Sequence, residues 1–220
     1  MRQLEFGRRA PAKGPASSLV IFLHGYGADG ADLLGLADPL APHLPRTAFV
    51  APDAPEPCVA NGFGRQWFPI PWLDGSSEAA AAASLALSTK DLNAFIDAAM
   101  AAEGVGPQAT ALVGLSQGTL MALHVAPRRA APLAAVVGFS GRLLQPETLA
   151  GETTARPPVL LIHGDADPVV PYADLARAAA GLTAAGVSVV SHTSRGVGHG
   201  IAPDGLSLAL RFLAERLAGG

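Results

Sequence analysis

The chain contains a serine, a pair of aspartates and a histidine that could act together in nucleophilic catalysis, in that order along the sequence. Ser116 stands in Gly114–Leu115–Ser116–Gln117–Gly118, a G-x-S-x-G sequence between an apolar run and a helical stretch that Pro127 ends. A serine in so tight a turn between a strand and a helix is lifted clear of the sheet, beside the positive end of the helix. The motif therefore predicts that Ser116 is a nucleophile.

An acid must follow, because a serine hydroxyl is a weak nucleophile unless a base and an orienting carboxylate activate it. The stretch HGDADPVVP (163–171) offers two aspartates directly after an apolar run, Asp165 and Asp167. Asp165 is nearer the strand and could simply close the turn through side-chain-to-backbone hydrogen bonds. Asp167 lies farther out, where the loop can carry it toward a histidine. The sequence favours Asp167 as the acid.

The base is predicted to be His199, which follows the last apolar run and is flanked by Gly198 and Gly200. His124 lies eight residues beyond the serine on the same helix, about 12 Å along its axis, and cannot reach back. The remaining histidines suit the role less well: His24 and His163 end strands and are expected to bond neighbouring loops, His192 is predicted within a strand, and His43 sits in a connection.

No metal site is expected, because no histidine has metal-ligand spacing with a second histidine or with Cys58. Cys58 itself is interpreted as a half-buried small residue in a proline-rich loop rather than as a nucleophile.

The glycine-rich stretch HGYGADG (24–30) admits two interpretations. Gly25, Gly27 and Gly30 spell G-x-G-x-x-G, and Asp53 stands near the distance at which a dinucleotide fingerprint holds a ribose hydroxyl. However, prolines flank Asp53 at positions 52 and 55, and a dinucleotide site leaves the serine, acid and base unexplained. The favoured interpretation is an oxyanion hole, in which this loop supplies one backbone N–H and Gln117 the other.

Apolar runs and helical stretches alternate along the chain, which predicts an α/β protein with a mostly parallel central sheet. Continuous apolar runs indicate strands covered on both faces by helices. A single domain is expected over residues 1–220. The predicted strands are 18–23, 47–52, 110–115, 133–139, 158–164 and 186–193, and the predicted helices include 76–104, 172–186 and 204–220.

Residues 51–75 have no periodicity, five prolines and both tryptophans, which indicates a packed loop over a site. Trp67, Phe68, Trp72 and Leu73 are expected to form the wall of an apolar acyl pocket, with Leu143 and Leu144 as further candidates. The alternative for each of these side chains is that it covers the core without touching a substrate.

The composition narrows the class of protein. Of the 220 residues 50% are hydrophobic and 15% charged, the formal net charge is −3, and no basic cluster occurs, so no nucleic-acid partner is expected. The single cysteine excludes an internal disulfide and favours a reducing compartment. No apolar run approaches the roughly 18–20 residues that span a bilayer, so the expectation is a cytoplasmic protein without stable membrane insertion.

Five motifs taken together, FLHGYGADG, PDAPEPC…GRQWF, GLSQG, HGDADPVVP and GHGIAPDGL, resemble the phospholipase/carboxylesterase family of α/β hydrolases, which includes small bacterial carboxylesterases and acyl-protein thioesterases. The resemblance runs from about residue 18 to 215. It implies an α/β-hydrolase fold with no large cap domain, oxyanion amides on Tyr26 and Gln117, and a homodimer as one oligomeric form. Many relatives have leucine at the position of Tyr26, whose larger ring could narrow the acyl entrance.

The predicted function is a serine carboxylesterase that cleaves small-molecule esters of short to medium acyl chains through an acyl-enzyme, with Ser116, Asp167 and His199 as catalytic residues and no cofactor. Because the oxyanion donors are backbone groups, the side chains of Tyr26 and Gln117 are expected to be free to vary. Two alternatives remain: a thioesterase or lysophospholipase with the same triad, and a catalytically silent binding protein on a hydrolase fold. The intact triad argues against the silent protein.

Overall fold

The computed structural model describes residues 2–217 and contains one central sheet of seven strands. The strands of the molecule are β1 (Phe6–Arg9), β2 (Ser18–Leu23), β3 (Thr47–Pro52), β4 (Glu56–Pro57), β5 (Arg65–Gln66), β6 (Thr110–Leu115), β7 (Ala135–Phe139), β8 (Val159–Gly164) and β9 (Val189–Ser194). The central sheet has the order β1-β3-β2-β6-β7-β8-β9, and all neighbours are parallel except β1, which pairs antiparallel with β3.

The helices are α1 (Gly30–Leu34), α2 (Ala37–Leu40), α3 (Pro71–Asp74), α4 (Glu78–Glu103), α5 (Gln117–Val125), α6 (Pro146–Glu152), α7 (Ala173–Ala184) and α8 (Pro203–Leu217). Ser77 caps the start of α4 by accepting from the Ala80 amide, and Gly104 ends it in the left-handed conformation. The predicted helix 204–220 is α8 as far as Leu217, and residues 218–220 lie outside the described part of the chain.

Six of the seven strands of the central sheet were predicted, three of them with the observed bounds (β2, β3 and β6). The last strand begins at Val189 rather than 186, because Gly186 takes a positive φ and the Val187 amide still bonds Leu182 at the end of α7. The edge strand β1 was missed. Its residues FGRR are partly exposed, so they lack the apolar run that marks the buried strands.

Two apolar layers enclose the sheet. Alternate strand residues such as Leu19 and Ile21 pack against α4, α5 and α7, while Val20 and Phe22 pack against α1, α2 and α8 on the opposite face. The continuous apolar runs are therefore strands buried on both faces, as parallel sheets require. The predicted α/β class with helices on both faces is confirmed.

The parallel strands end at a common edge of the sheet, and the loops that carry the candidate residues all leave from that edge. These loops follow β2, β6, β8 and β9. Residues 53–77 form the longest connection on this side and include most of the packed loop predicted over residues 51–75, whose first two residues belong to β3. They contain the two-stranded pairing of β4 with β5 and the single turn α3, which is too small a structure to be a cap domain.

No helix within residues 2–217 is both long enough and apolar enough to cross a membrane.

The turn between β6 and α5 depends on very close backbone packing. A Cβ atom added to Gly118 would lie 1.8 Å from the carbonyl oxygen of Leu23, and one added to Gly114 would lie 2.5 Å from the Gly118 carbonyl carbon. Neither contact can be relieved by a side-chain rotation, because the atoms approached belong to the backbone. Glycine is therefore required at both positions for steric reasons.

We expect Gly118→Ala to lower the free energy of unfolding by at least about 1–3 kcal/mol, the usual cost of forcing atoms into a packed interior. Urea denaturation followed by circular dichroism measures the change. Gly151→Ala is the matched control, because its Cβ meets nothing within 4 Å and an added methyl group in α6 should stabilise by about 0.5–1 kcal/mol. Equal stability of Gly118→Ala and the wild type would contradict the packing argument.

Candidate active site

Ser116 occupies the sharp turn between β6 and α5 in a backbone conformation that side chains rarely adopt. Its φ is 54° and its ψ is −118°, and it is one of three non-glycine residues with positive φ in residues 2–217. Such a conformation costs of order 1–3 kcal/mol and persists only where the surroundings enforce it. Two hydrogen bonds hold the residue: its amide donates to Phe139 at 2.9 Å, and its carbonyl accepts from Leu120 at 3.1 Å.

Asp167 and His199 are in direct contact. Nδ1 of His199 lies 2.8 Å from Oδ2 of Asp167, whose side chain is fully buried. Asp165, the competing aspartate, accepts from the Gly196 amide at 2.6 Å and so closes the turn beside β9. Of the two candidates, the structure brings only Asp167 to the histidine.

The Asp167 carboxylate is held ionised by several donors. Oδ1 accepts from the amides of Val169 and Val170 at 2.8 and 3.0 Å. Nε2 of His163 donates to the Val170 carbonyl at 3.1 Å, the kind of loop contact expected for it, and lies 3.2 Å from Oδ2 of Asp167. Burial alone would raise the pKa of Asp167, but the hydrogen bonds from His199, Val170 and Val169 outweigh burial, and the pKa lies below its ordinary value. A charged carboxylate at this position fixes the imidazole ring and favours a proton on its Nδ1.

Ser116 and His199 line the same pocket from opposite loops. Within residues 2–217 no hydrogen bond joins the serine Oγ to the histidine ring. Contacts of this kind are commonly long in the free form of an enzyme and tighten when substrate is bound.

None of the other five histidines lines the pocket. His24 donates from Nδ1 to the Gly25 carbonyl and accepts at Nε2 from the Ala54 amide, so it bonds neighbouring loops as expected; burial lowers its pKa. His192 bonds Asp204, and burial together with nearby Arg128 lowers the pKa of His124 to about 4. No group of three or more His, Cys, Asp or Glu within the described residues is arranged to hold a metal ion.

The glycine loop lies directly against the nucleophile. A Cβ on Gly25 would be 3.3 Å from the Cβ of Ser116, so the two backbones almost touch. The amides of Tyr26 and Gln117 both belong to pocket-lining residues, and neither donates a hydrogen bond to another atom of residues 2–217. Two unpaired backbone donors beside a serine hydroxyl can stabilise an oxyanion.

Asp53, which the dinucleotide hypothesis assigned to a ribose, has a different partner. Its Oδ1 accepts from the Gly30 amide at 2.8 Å and so anchors the first residue of α1. A Cβ on Gly30 would lie 2.4 Å from the Ala51 carbonyl oxygen, so this glycine permits α1 to pack against β3. The third glycine of the pattern thus has a packing role that needs no nucleotide.

The pocket beside Ser116 has a volume of about 390 Å³, within the range of small-molecule sites. Of the side chains predicted to form its wall, Phe68, Trp72 and Leu73 do line it. Leu144 lines it as well, whereas Leu143 packs against the core instead.

Trp67 is a correction. It was predicted to contact substrate, but it is completely buried outside the pocket, with its indole N–H donating to the His24 carbonyl at 3.0 Å. This hydrogen bond joins the Trp67 side chain to the first residue of the glycine-rich stretch 24–30.

The side chains of Tyr26 and Gln117 are more constrained than the sequence suggested. The Tyr26 hydroxyl donates to Oδ2 of Asp74 at 2.9 Å. The side-chain amide of Gln117 accepts from the backbone N–H of Trp67 at 2.9 Å and donates to the Phe68 carbonyl at 2.7 Å. Residues 67–74, called here the wall segment, are therefore bonded to the side chains of both residues whose backbone amides have no acceptor within residues 2–217. The two side chains therefore have structural partners that sequence reasoning did not anticipate, and their freedom to vary without loss of function stays a prediction.

Asp74 is the residue that sequence reasoning missed. Its Oδ2 also accepts from the Ile70 amide at 2.8 Å, and its Oδ1 accepts from the Ser76 amide at 2.9 Å. Burial alone would raise the pKa of Asp74, but the hydrogen bonds from Ser76, Ile70 and Tyr26 lower it to about 2. Pro71 at the start and Gly75 after the end mark α3 as a one-turn helix, and this signal was available in the sequence.

The stability of the protein should depend on the ionisation of Asp74. Its pKa is about 2 in the folded chain and about 3.9 in an unfolded one, so its contribution is complete above about pH 4 and is lost as the pH falls toward 2. Between about pH 4 and pH 2, the free energy of unfolding of Asp74→Asn should fall by about 1 kcal/mol less than that of the wild type. This value is reduced for the partial exposure of the carboxylate. Urea titrations at a series of pH values measure it, and parallel curves would contradict the assignment.

Together, a strained serine at a strand–helix turn, a histidine held by a buried aspartate and two free amides on a parallel sheet define an α/β hydrolase. Comparison with known proteins then identifies the family. The family model for phospholipase/carboxylesterase matches residues 9–217, and the chain belongs to that family. It is a carboxylic ester hydrolase by class.

Individual relatives agree with this assignment. The chain is 30% identical to esterase YpfH of Escherichia coli over 97% of its own length and 88% of the relative's. It is 28% identical to acyl-protein thioesterase 1 of Gibberella zeae, covering 96% of this chain and 97% of the other. Among solved structures, esterase PE8 superimposes with a TM-score of 0.92 at 43% identity, covering 98% of this chain and all of that one.

Proposed function

We propose that the protein hydrolyses carboxylic esters of short to medium acyl chains through an acyl-enzyme formed on Ser116, with His199 as base and Asp167 as the orienting acid. The observation that carries the proposal is the hydrogen bond between His199 and the buried Asp167, in a pocket that also contains the strained serine. No metal or organic cofactor takes part in the proposed chemistry.

The reaction follows from the positions of the donors and acceptors. With a substrate in place, His199 Nε2 takes the proton of Ser116 as the hydroxyl oxygen attacks the ester carbonyl, and Asp167 stabilises the resulting imidazolium. The Tyr26 and Gln117 amides bind the developing oxyanion. The protonated histidine then gives its proton to the leaving alcohol, and it later activates a water molecule that hydrolyses the acyl-enzyme.

The apolar lining of the pocket supports acyl rather than polar recognition. Phe68, Trp72, Leu73 and Leu144 offer carbon surface to a chain, and such surface distinguishes acyl groups by roughly 1–3 kcal/mol per methylene. The enzyme is therefore expected to accept a broad range of short and medium acyl esters.

A thioester is the second candidate substrate, because the same attack and the same oxyanion serve a thioester carbonyl. The likeness to acyl-protein thioesterase 1 of Gibberella zeae favours keeping it. Steady-state rates on matched oxygen esters and thioesters of one acyl chain decide between them.

The proposal extends to the setting of the protein. Two apolar layers on one sheet support a single domain, and the solitary cysteine supports a cytoplasmic location. We propose small-molecule esters, not nucleic acid, as partners, and a homodimer as an oligomeric form on the family resemblance. Light scattering after size exclusion measures the oligomeric state.

The nucleophile is tested with a fluorophosphonate probe, which reacts covalently with activated serines. The wild type should be labelled, and Ser116→Ala should not; Ser140→Ala, which alters another serine with positive φ, is the control and should still be labelled. Labelling of Ser116→Ala, or of neither protein, would refute the assignment.

Asp167 and Asp165 form a matched pair for testing the acid. Asp167→Asn should reduce kcat for p-nitrophenyl butyrate by about 10³–10⁴-fold, because the imidazole loses the carboxylate that orients it and stabilises its charge. Asp165→Asn should change kcat less than tenfold, because the one hydrogen bond of that carboxylate within residues 2–217 is from the Gly196 amide. Equal losses in both variants would leave Asp167 without a special role.

A further inference from the structure

The wall segment (residues 67–74) is attached very differently at its two ends. At residues 67–68, Trp67 and Phe68 bond the Gln117 side chain, the Trp67 indole bonds His24, and the Ser88 hydroxyl donates to the Trp67 carbonyl. Residues 69–76, which include this far end of the segment, have a single hydrogen bond to the rest of the described chain, from the Tyr26 hydroxyl to Asp74. The other hydrogen bonds of this end stay within residues 70–76.

The weakly attached end carries the side chains that close the pocket. Trp72 and Leu73 both line it, yet they are 66% and 53% exposed, so they gain little from core packing. Ile70, just before this turn, is buried, and the Arg142 guanidinium lies 5.0 Å from the Trp72 ring centroid. Exposed cation–π contacts of this kind contribute modestly. The position of α3 over the pocket therefore depends to a large extent on the Tyr26 hydroxyl.

Tyr26 also belongs to the loop that faces the nucleophile. The glycine loop is also bonded to Arg65, two residues before the wall segment. The Gly27 amide donates to the Arg65 carbonyl at 2.9 Å, and the Arg65 amide donates to the Ala28 carbonyl at 2.8 Å. One residue thus supplies both a free amide next to Ser116 and a hydroxyl that holds the far end of the wall segment.

We propose that the Tyr26 hydroxyl is a positioning and specificity-determining group, which sets the acyl-length preference by holding α3, through Asp74, over the acyl pocket. This inference rests on the proposed function and adds a specificity role to its site. The predicted effect is indirect, because the hydroxyl does not touch the reacting atoms.

The electrostatics of the pair support a permanent contact. Burial, the neighbouring Cys58 thiol and Asp74 all raise the pKa of Tyr26, so the phenol remains a donor at neutral pH. The Asp74 carboxylate remains a charged acceptor over the same range. Hydrogen bonds to a charged acceptor are stronger than those between neutral groups.

Tyr26→Phe tests the proposal, because it removes only the hydroxyl and keeps the ring and the amide. For p-nitrophenyl hexanoate we expect kcat/KM to fall five- to tenfold, mainly through a higher KM. The acetate ester should be affected less, so that the hexanoate-to-acetate ratio of kcat/KM falls, because a two-carbon acyl group remains beside Ser116. Tyr172→Phe is the matched control; it removes the only other tyrosine hydroxyl, bonded to Thr193 outside the pocket, and should leave both esters unchanged.

A double-mutant cycle shows whether the effect passes through Asp74. Asp74→Ala should lower the hexanoate-to-acetate ratio at least as much as Tyr26→Phe, and the double variant should lower it no further than Asp74→Ala alone. Asp74→Asn, which keeps an acceptor oxygen, should restore part of the ratio. Circular dichroism and fluorophosphonate labelling establish that each variant is folded and has a reactive serine.

The outcomes separate this inference from the proposed function. An unchanged ratio in Tyr26→Phe, equal losses on both esters, or effects of Tyr26 and Asp74 that multiply independently would overturn the positioning role. Absence of wild-type hydrolysis of the acetate ester would instead overturn the proposed function itself.

Discussion

The close approach of α5 to the end of β2 is the constraint on which the rest of the site depends. Gly118 has no room for a side chain, because the Leu23 and His24 carbonyl oxygens lie within 1.8 and 2.8 Å of where its Cβ would be. This contact brings the N-terminus of the helix against the glycine loop, with Ser116 between them in a strained conformation. Tyr26 and Gln117 come to line one pocket as a consequence, although they are 91 positions apart in the sequence.

The carboxylate and the acyl pocket are built on this arrangement by different means. Asp167 is fixed by burial and by donors from its own loop and from His199, with the His163 ring in contact, so the carboxylate that orients the base is shielded from solvent. The acyl pocket instead has one firmly held end and one end attached mainly through Tyr26. The reacting groups are thus held by buried hydrogen bonds, whereas the far end of the wall segment has few bonds to the rest of the described chain.

The sequence predicted those elements whose structure depends on residues that are close together in the sequence. Buried strands such as β2, β3 and β6 are continuous apolar runs, and α4 has a serine cap and a glycine stop. The edge strand β1 was missed because half-exposed residues carry no comparable pattern. Asp165 and Asp167 could be ranked from the sequence because one directly follows the strand and the other lies farther along the loop, where it can approach a histidine.

Contacts between distant segments were less accessible. Trp67 is aromatic and lies in the loop beside the pocket, and for this reason it was assigned to the pocket wall. In the structure its indole N–H donates to the His24 carbonyl, and the side chain is buried. The bond from Tyr26 to Asp74 joins residues 48 positions apart and leaves no signal in either local pattern. The role of such side chains can be assigned only when the three-dimensional structure shows which distant residues they bond.

The most direct test of the shared pocket is the crystal structure of the protein after reaction with a fluorophosphonate, whose phosphorus mimics the tetrahedral carbon. We expect a covalent bond from Ser116 Oγ to phosphorus, with the phosphoryl oxygen at hydrogen-bond distance from the amides of both Tyr26 and Gln117 and the ring of His199 beside Oγ. An adduct on another residue, or a phosphoryl oxygen directed away from both amides, would contradict the account.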